Sequence, residues 1–172
     1  MACTSAAAEV ARAERELKER RAFAAQLNAC RKTAKLSQLT WDDDLASHAQ
    51  HHADNLPPPP DPTTPFATPA PDTPTLRPDT VTTVRSPSTG RPNVARIVSS
   101  RGLGAMACVE RWYSGKHRRH AIETTNRERH PDDCPCRLAI VYQTMMHASF
   151  DRVGVGRATE GSDVWVVELG AA

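Results

Sequence analysis

Residues 27–50 read LNACRKTAKLSQLTWDDDLASHAQ, and this stretch carries the end of one helix, a turn and the start of a second. Leu27 and Cys30 continue an apolar spacing begun upstream by Val10, Ala13, Leu17 and Ala24, at steps of three, four and seven, while Glu and Arg fill the other face. Residues 6 to about 35 therefore read as one long helix. Its early part, Glu9 to Arg21, is charged enough to project beyond a core, supported by i,i+4 pairs such as Glu16 with Arg20. After the turn, Thr40 has the chemistry of an N-cap, and Asp42, Asp43 and Asp44 fill a first turn where the helix dipole favours negative charge. Leu45, Ala49, Ala53 and Leu56 then share a face, and Pro57 ends the second helix.

Beyond it the character of the chain changes. From Pro57 to Pro92 lie 12 of the 14 prolines, mixed with Thr, Asp and Ser. Each removes an amide donor and fixes φ, so the stretch is expected to be an extended, solvated insertion through which neither helix nor sheet ladder runs. Val94 to Val98 reads as a short strand, and about 104–113 as a third helix carrying Met106, Val109 and Trp112 inward. Residues 115–133 are polar and basic and read as loop; Leu138 to Met146 fits helix or strand by periodicity alone. The chain closes on a hairpin, Arg152 to Ala158 and Val164 to Leu169, turning around Glu160-Gly161-Ser162-Asp163. Three helices and a final antiparallel pair point to a three-layer mixed α/β domain, and 172 residues suffice for one domain, 1–172, with the proline-rich insertion at 57–92 inside it.

A formal net charge of +2 is too balanced to argue for nucleic acid or a membrane surface. No apolar run approaches the roughly 20 residues that span a bilayer. Met1 to Ser5 lead straight into the charged helix without the apolar core of a secretory signal, so either a signal was removed or the chain is cytoplasmic. Five cysteines (Cys3, Cys30, Cys108, Cys134, Cys136) are an odd set; Cys134 and Cys136 are too close for an easy mutual disulfide and offer partners to Cys108 or Cys30.

Three separated segments together resemble the cysteine-rich secretory (CAP, or SCP) superfamily. Leu27-Asn28-Ala29-Cys30-Arg31 with Leu39-Thr40-Trp41-Asp42, Leu45-Ala46 and Ala49-Gln50 is similar to the family's opening pair of helices. Asn93-Val94-Ala95 followed by Trp112-Tyr113 resembles its Gly-Glu-Asn-Ile-Ala strand and tryptophan helix. Thr144-Met145-Met146, Ser149-Phe150, Arg152 to Gly156 and Trp165-Val166-Val167 resemble its closing block. The resemblance implies an α/β/α sandwich with a shallow central cleft. Many members hold two histidines and two glutamates there, able to bind a divalent metal. In this chain Pro92, Gly115 and Val141 stand where three of the four would lie, and the fourth falls on the proline-rich stretch. A metal site needs three or four converging ligands, so no metal and no cofactor is expected at the cleft.

Other constellations are weaker. His48, His51 and His52 have the spacing of a zinc pair but no third ligand nearby, and read as a polar solvent face. His117, His120, His130, Cys134 and Cys136 match no finger or ribbon spacing, and a loop held by disulfides is the better reading. Arg111, Lys116, Arg118, Arg119, Arg127 and Arg129 are offset by acidic neighbours; with few aromatics to stack on bases, no nucleic-acid partner is expected. Ser149 lies two residues from His147, yet nothing resembles a nucleophile elbow. The resemblance therefore implies a secreted, non-catalytic binding domain holding a lipid or sterol or engaging a protein partner. Asn28, Arg31, Trp112, Tyr113, Thr144, Met145 and His147 are its candidate ligand-binding residues. The alternatives are a metal-dependent hydrolase with a rearranged site, and an effector-like interaction protein with a vestigial cleft.

Overall fold

The computed structural model describes residues 3–56, 79–85, 92–99, 102–118, 136–158 and 164–171. In chain order they form α1 (Cys3–Thr33), β1 (Thr40–Trp41), α2 (Asp43–Asp54), β2 (Thr80–Arg85), β3 (Pro92–Val98), α3 (Ala105–Ser114) with a 3₁₀ turn at Gly115–Arg118, α4 (Cys136–Met145), β4 (Arg152–Ala158) and β5 (Val164–Gly170). The five strands make one sheet in the order β1-β4-β5-β3-β2, with β1 parallel to β4 and every other pair antiparallel. α2 covers β4 and β5 on one face, and α1, α3 and α4 cover the other. The expected α/β/α sandwich is the observed architecture.

Strand alternation divides the side chains between the two helical layers. Ala95, Ile97, Val153, Val155, Trp165, Val167 and Leu169 join Phe23, Leu27, Cys108, Val109, Trp112, Val141 and Met145 in the larger core. Val164, Val166 and Ala158 meet Ala49 and Ala53 of α2 in the smaller one. Phe23 stands at the centre of the larger core, its ring 5.7 Å from Trp112 edge-on and 5.1 Å from Trp165.

Several expectations are corrected. α1 buries Phe23, Ala24, Leu27 and Arg31, whereas Val10 and Ala13 are exposed, because only the second half of the helix reaches the sheet. Glu16 pairs with Arg12 at 2.9 Å, and Arg20 reaches Gln50 of α2 at 3.2 Å. The helix ends at a Schellman turn: Leu36 N–H bonds Arg31 O, Lys35 N–H bonds Lys32 O, and Lys35 takes φ 58°. Met106 points outward from α3 and Cys108 takes the inner place. Leu138 to Met146 resolves as helix up to Met145. Within the proline-rich stretch, Thr80–Arg85 forms a strand; this run carries no proline and five β-branched residues, so its amides are able to pair with β3.

Thr40 does not cap α2; it is in β1, and the cap is Asp42, whose carboxylate accepts from Leu45 N–H at 3.0 Å and from Arg152 at 3.1 Å. The Leu45 bond foremost, with Arg152, holds the Asp42 carboxyl below the usual carboxylate range. Stability from this group is present above the unfolded pKa and is lost as pH falls through the folded one. Asp42→Ala is expected to cost about 1 kcal/mol near neutrality. Urea midpoints at several pH values should show this difference shrinking below about pH 4.

Candidate functional site

Val81 and Thr83 project from the same face of β2, two residues apart, as strand geometry requires. Opposite them, Ile140, Gln143 and Thr144 share a stripe of α4, and the turn after the helix adds His147 and Phe150. These seven side chains line a groove of about 350 Å³, open on one side. A second hollow of about 170 Å³ is also bordered by Val81 and Ile140, together with Asp79, Thr80 and Arg137. Val81, Ile140 and Phe150 give the main groove apolar walls, and Thr83, Gln143, Thr144 and His147 supply hydrogen-bonding groups.

Two buried polar anchors hold the walls in place. Asp79 stands immediately before β2 in a left-handed conformation (φ 55°), and its carboxylate accepts from Trp112 Nε1 at 2.9 Å and Arg111 Nε at 3.0 Å, tying the start of the strand to α3. Arg31, fully buried, donates to the carbonyls of Ser37 (2.9 Å), Met145 (2.9 Å), His147 (3.2 Å) and Phe150 (3.1 Å). It thereby fixes the turn that presents His147 and Phe150. Burial lowers the pKa of its guanidinium, which stays charged.

The residues singled out in the sequence separate into two groups. Thr144 and His147 line the groove. Asn28 grips the backbone of Leu39 through both ends of its amide, at 2.7 and 2.9 Å, and Trp112 and Met145 are fully buried in the core. Tyr113 is half-buried, stacked edge-on to Tyr142 with Lys116 over its ring. Arg31 acts on the groove through the turn it clamps. The β2 wall was missed, although the proline-free run Thr80–Arg85 is the signal that would have found it.

At the three cleft positions compared with the family pattern, Pro92 opens β3 and Val141 is fully buried. Gly115 packs so tightly that a Cβ there would lie 2.1 Å from the Leu138 carbonyl oxygen, leaving no room for any side chain unless α4 moves.

Elsewhere the histidines diverge. His48 and His51 are exposed, while His52 is half-buried, its Nε2 4.0 Å from Glu168, a buried carboxylate that accepts a hydrogen bond from Arg96 at 2.8 Å. Desolvation, then Arg96, keep the His52 pKa low. Among the described residues no three His, Cys, Asp or Glu converge as a metal site. His120, His130 and Cys134 lie outside the described residues. Ser149 Oγ sits 2.6 Å from His147 Nδ1, which also accepts Ser149 N–H at 3.3 Å, so Nδ1 is the acceptor of a local turn. Among the described residues no carboxylate orients the other ring nitrogen, as a triad requires.

The expected disulfides are corrected too: Cys30, half-buried, and Cys108, buried, are free thiols, because helical spacing turns Cys108 onto the core face of α3. Burial pushes the Cys108 thiol up to about 12. Its alkylation by iodoacetamide near pH 8 should be at least about 100-fold slower in the native protein than in urea, as read by peptide mass mapping.

The model of the family described as CAP, the cysteine-rich secretory protein family, matches residues 24–169, which spans every element from the second half of α1 to β5. No curated protein matches the chain.

Proposed function

The chain belongs to the cysteine-rich secretory protein (CAP) family, and from that premise we propose that it is a non-catalytic binding domain, acting outside the cell, whose ligand sits in the β2–α4 groove. The observation that carries this reading is the groove's lining: apolar walls from Val81, Ile140 and Phe150 with a few hydrogen-bonding groups placed among them, the usual make-up of a binding site. Three further facts support it. Pro92, Gly115 and Val141 offer no ligand atom for a metal, His147 is engaged in a local turn, and Gly115 could not be exchanged for a carboxylate in place. No helix among the described residues is long and apolar enough to cross a membrane.

The ligand is either a sterol or other lipid, inserting one end, or a segment of a protein partner. A volume of about 350 Å³ is near the lower limit of small-molecule sites, so a sterol would be held only in part. Titration with a fluorescent sterol tests the lipid branch. Saturable binding at micromolar protein, weakened at least tenfold by the groove-filling Ile140→Trp, is the expected result for a sterol ligand. No saturable binding removes the lipid and leaves the protein segment.

A further inference from the structure

We infer that His147 is an acid-sensitive latch on the groove, whose ring swings out of the wall when it is protonated and loosens the hold on a ligand; this rests on the reading of the groove as the binding site.

Two donors converge on one atom of that ring. Nδ1 of His147 lies 2.6 Å from Ser149 Oγ and 3.3 Å from the backbone nitrogen of Ser149. A backbone N–H only donates, so Nδ1 is bare and the neutral ring carries its proton on Nε2. The ring therefore does what an asparagine side chain does in an Asx turn, accepting from the amide two residues on. This bond sets where the ring stands. Its centroid is 5.5 Å from that of Phe150, and both side chains line the groove.

Protonation puts a hydrogen on the one nitrogen whose lone pair the turn uses. The Ser149 hydroxyl can rotate to accept from it, but the amide cannot, and two N–H groups then face each other across 3.3 Å. Charge opposes the closed position as well. From α1, the fully buried guanidinium of Arg31 donates to the carbonyl of His147 itself at 3.2 Å. The other polar side chains lining the groove, Thr83 of β2 with Gln143 and Thr144 of α4, are uncharged. Among the described residues no carboxylate pairs with the ring; Asp151, four residues on, faces Arg152 at 3.7 Å. His147 is exposed, so its ring can turn into water without unpacking the core. Arg31 also holds the carbonyls of Met145 and Phe150, so the backbone of the turn stays and the ring is the part that moves. Histidine is the side chain whose charge ordinarily changes between about pH 5 and 8, which makes the wall closed at neutrality and open in mild acid.

The test starts with the ¹⁵N-labelled full chain and no ligand. Long-range ¹H–¹⁵N spectra should show His147 with Nδ1 bare at about pH 7.5, and the amides of Ser149 and Phe150 should shift in step with protonation of that ring down to about pH 5. His147→Asn keeps an acceptor in the same turn geometry and takes up no proton, so these shifts should vanish in it. The fluorescent sterol is then titrated at both pH values. Its affinity should fall about fivefold at the lower one, the worth of one ordinary hydrogen bond, in the wild type and in the control His48→Gln. In His147→Asn the two affinities should be equal. A proton on Nδ1 at neutral pH, amides that ignore the ring, or a pH dependence that survives in His147→Asn would overturn the latch. If the sterol binds equally well at both pH values to the wild type, the groove reading stands and the latch falls. If no sterol binds at either, the lipid branch of the groove reading falls and the amide titration alone decides the latch.

Discussion

Gly154→Val should remove a large part of the protein's stability, whereas Gly104→Ala should change it by no more than about 0.5 kcal/mol. Neither position has a left-handed φ, so the contrast is one of space alone. A Cβ at Gly154 would lie 2.1 Å from the backbone nitrogen of Ala46 and 2.2 Å from the carbonyl carbon of Leu45. These are backbone atoms of α2, which cannot swing aside as a side chain can. At Gly104 nothing lies within 4 Å. Two residues on, Gly156 makes the same approach to Ala49 and Gln50, so the α2 axis rests on a strip of β4 with no side chains. Any larger residue at 154 lifts the helix, opening the contact of Ala49 and Ala53 with Val164 and Val166. The expected cost is about 4 kcal/mol or more, a large part of the 5–15 kcal/mol that holds a domain together. Urea unfolding followed by circular dichroism measures it. A Gly154→Val protein within about 1 kcal/mol of wild type would mean that α2 does not sit where described.

That pair of glycines shows what a sequence can carry. Alternation along Arg152–Ala158 and Val164–Leu169 is local, and it gave the hairpin; the spacing of Leu45, Ala49 and Ala53 gave the buried face of α2. Asn28 and Arg31 stood out through a family pattern, but the pattern could not say that both act on backbone rather than on a ligand. Phe23 was passed over because it sits among arginines and glutamates, and only the position of the sheet decides which turn of α1 is covered. Met106 and Cys108 exchange roles for a similar reason: a short helix with apolar residues on two sides has its orientation fixed by the neighbours it meets. The groove was half legible. Thr144 and His147 lie on a recognisable block, but the opposite wall comes from a strand hidden between prolines, and its anchor, Asp79 to Trp112, joins residues 33 apart that no periodicity links.

Arg31→Met should destabilise the protein by about 4 kcal/mol and loosen the groove before the rest of the fold yields. The guanidinium is fully buried and its four bonds all go to main-chain carbonyls, those of Ser37, Met145, His147 and Phe150. Those carbonyls belong to the loop after α1, the last residue of α4 and the turn that follows it, where no strand ladder satisfies them. Methionine fills much of the volume but donates nothing, leaving four acceptors without their donor, at about 1–3 kcal/mol for each buried polar group left unsatisfied. Relief from burying a charge offsets part of this, hence a total below the simple sum. Arg31→Lys keeps the charge and loses the planar fork, so it should recover less than half of the loss. The arginine's influence on the groove can be separated from its share in global stability by native-state hydrogen exchange. In Arg31→Met the amides of Ser149 and Phe150, whose acceptors lie in the clamped turn, should exchange through local opening while those of β5 stay protected to the global limit. If the two sets lost protection together, Arg31 would be a fold residue only. If Arg31→Met cost less than about 1 kcal/mol, the four-carbonyl clamp would not be what positions His147 and Phe150.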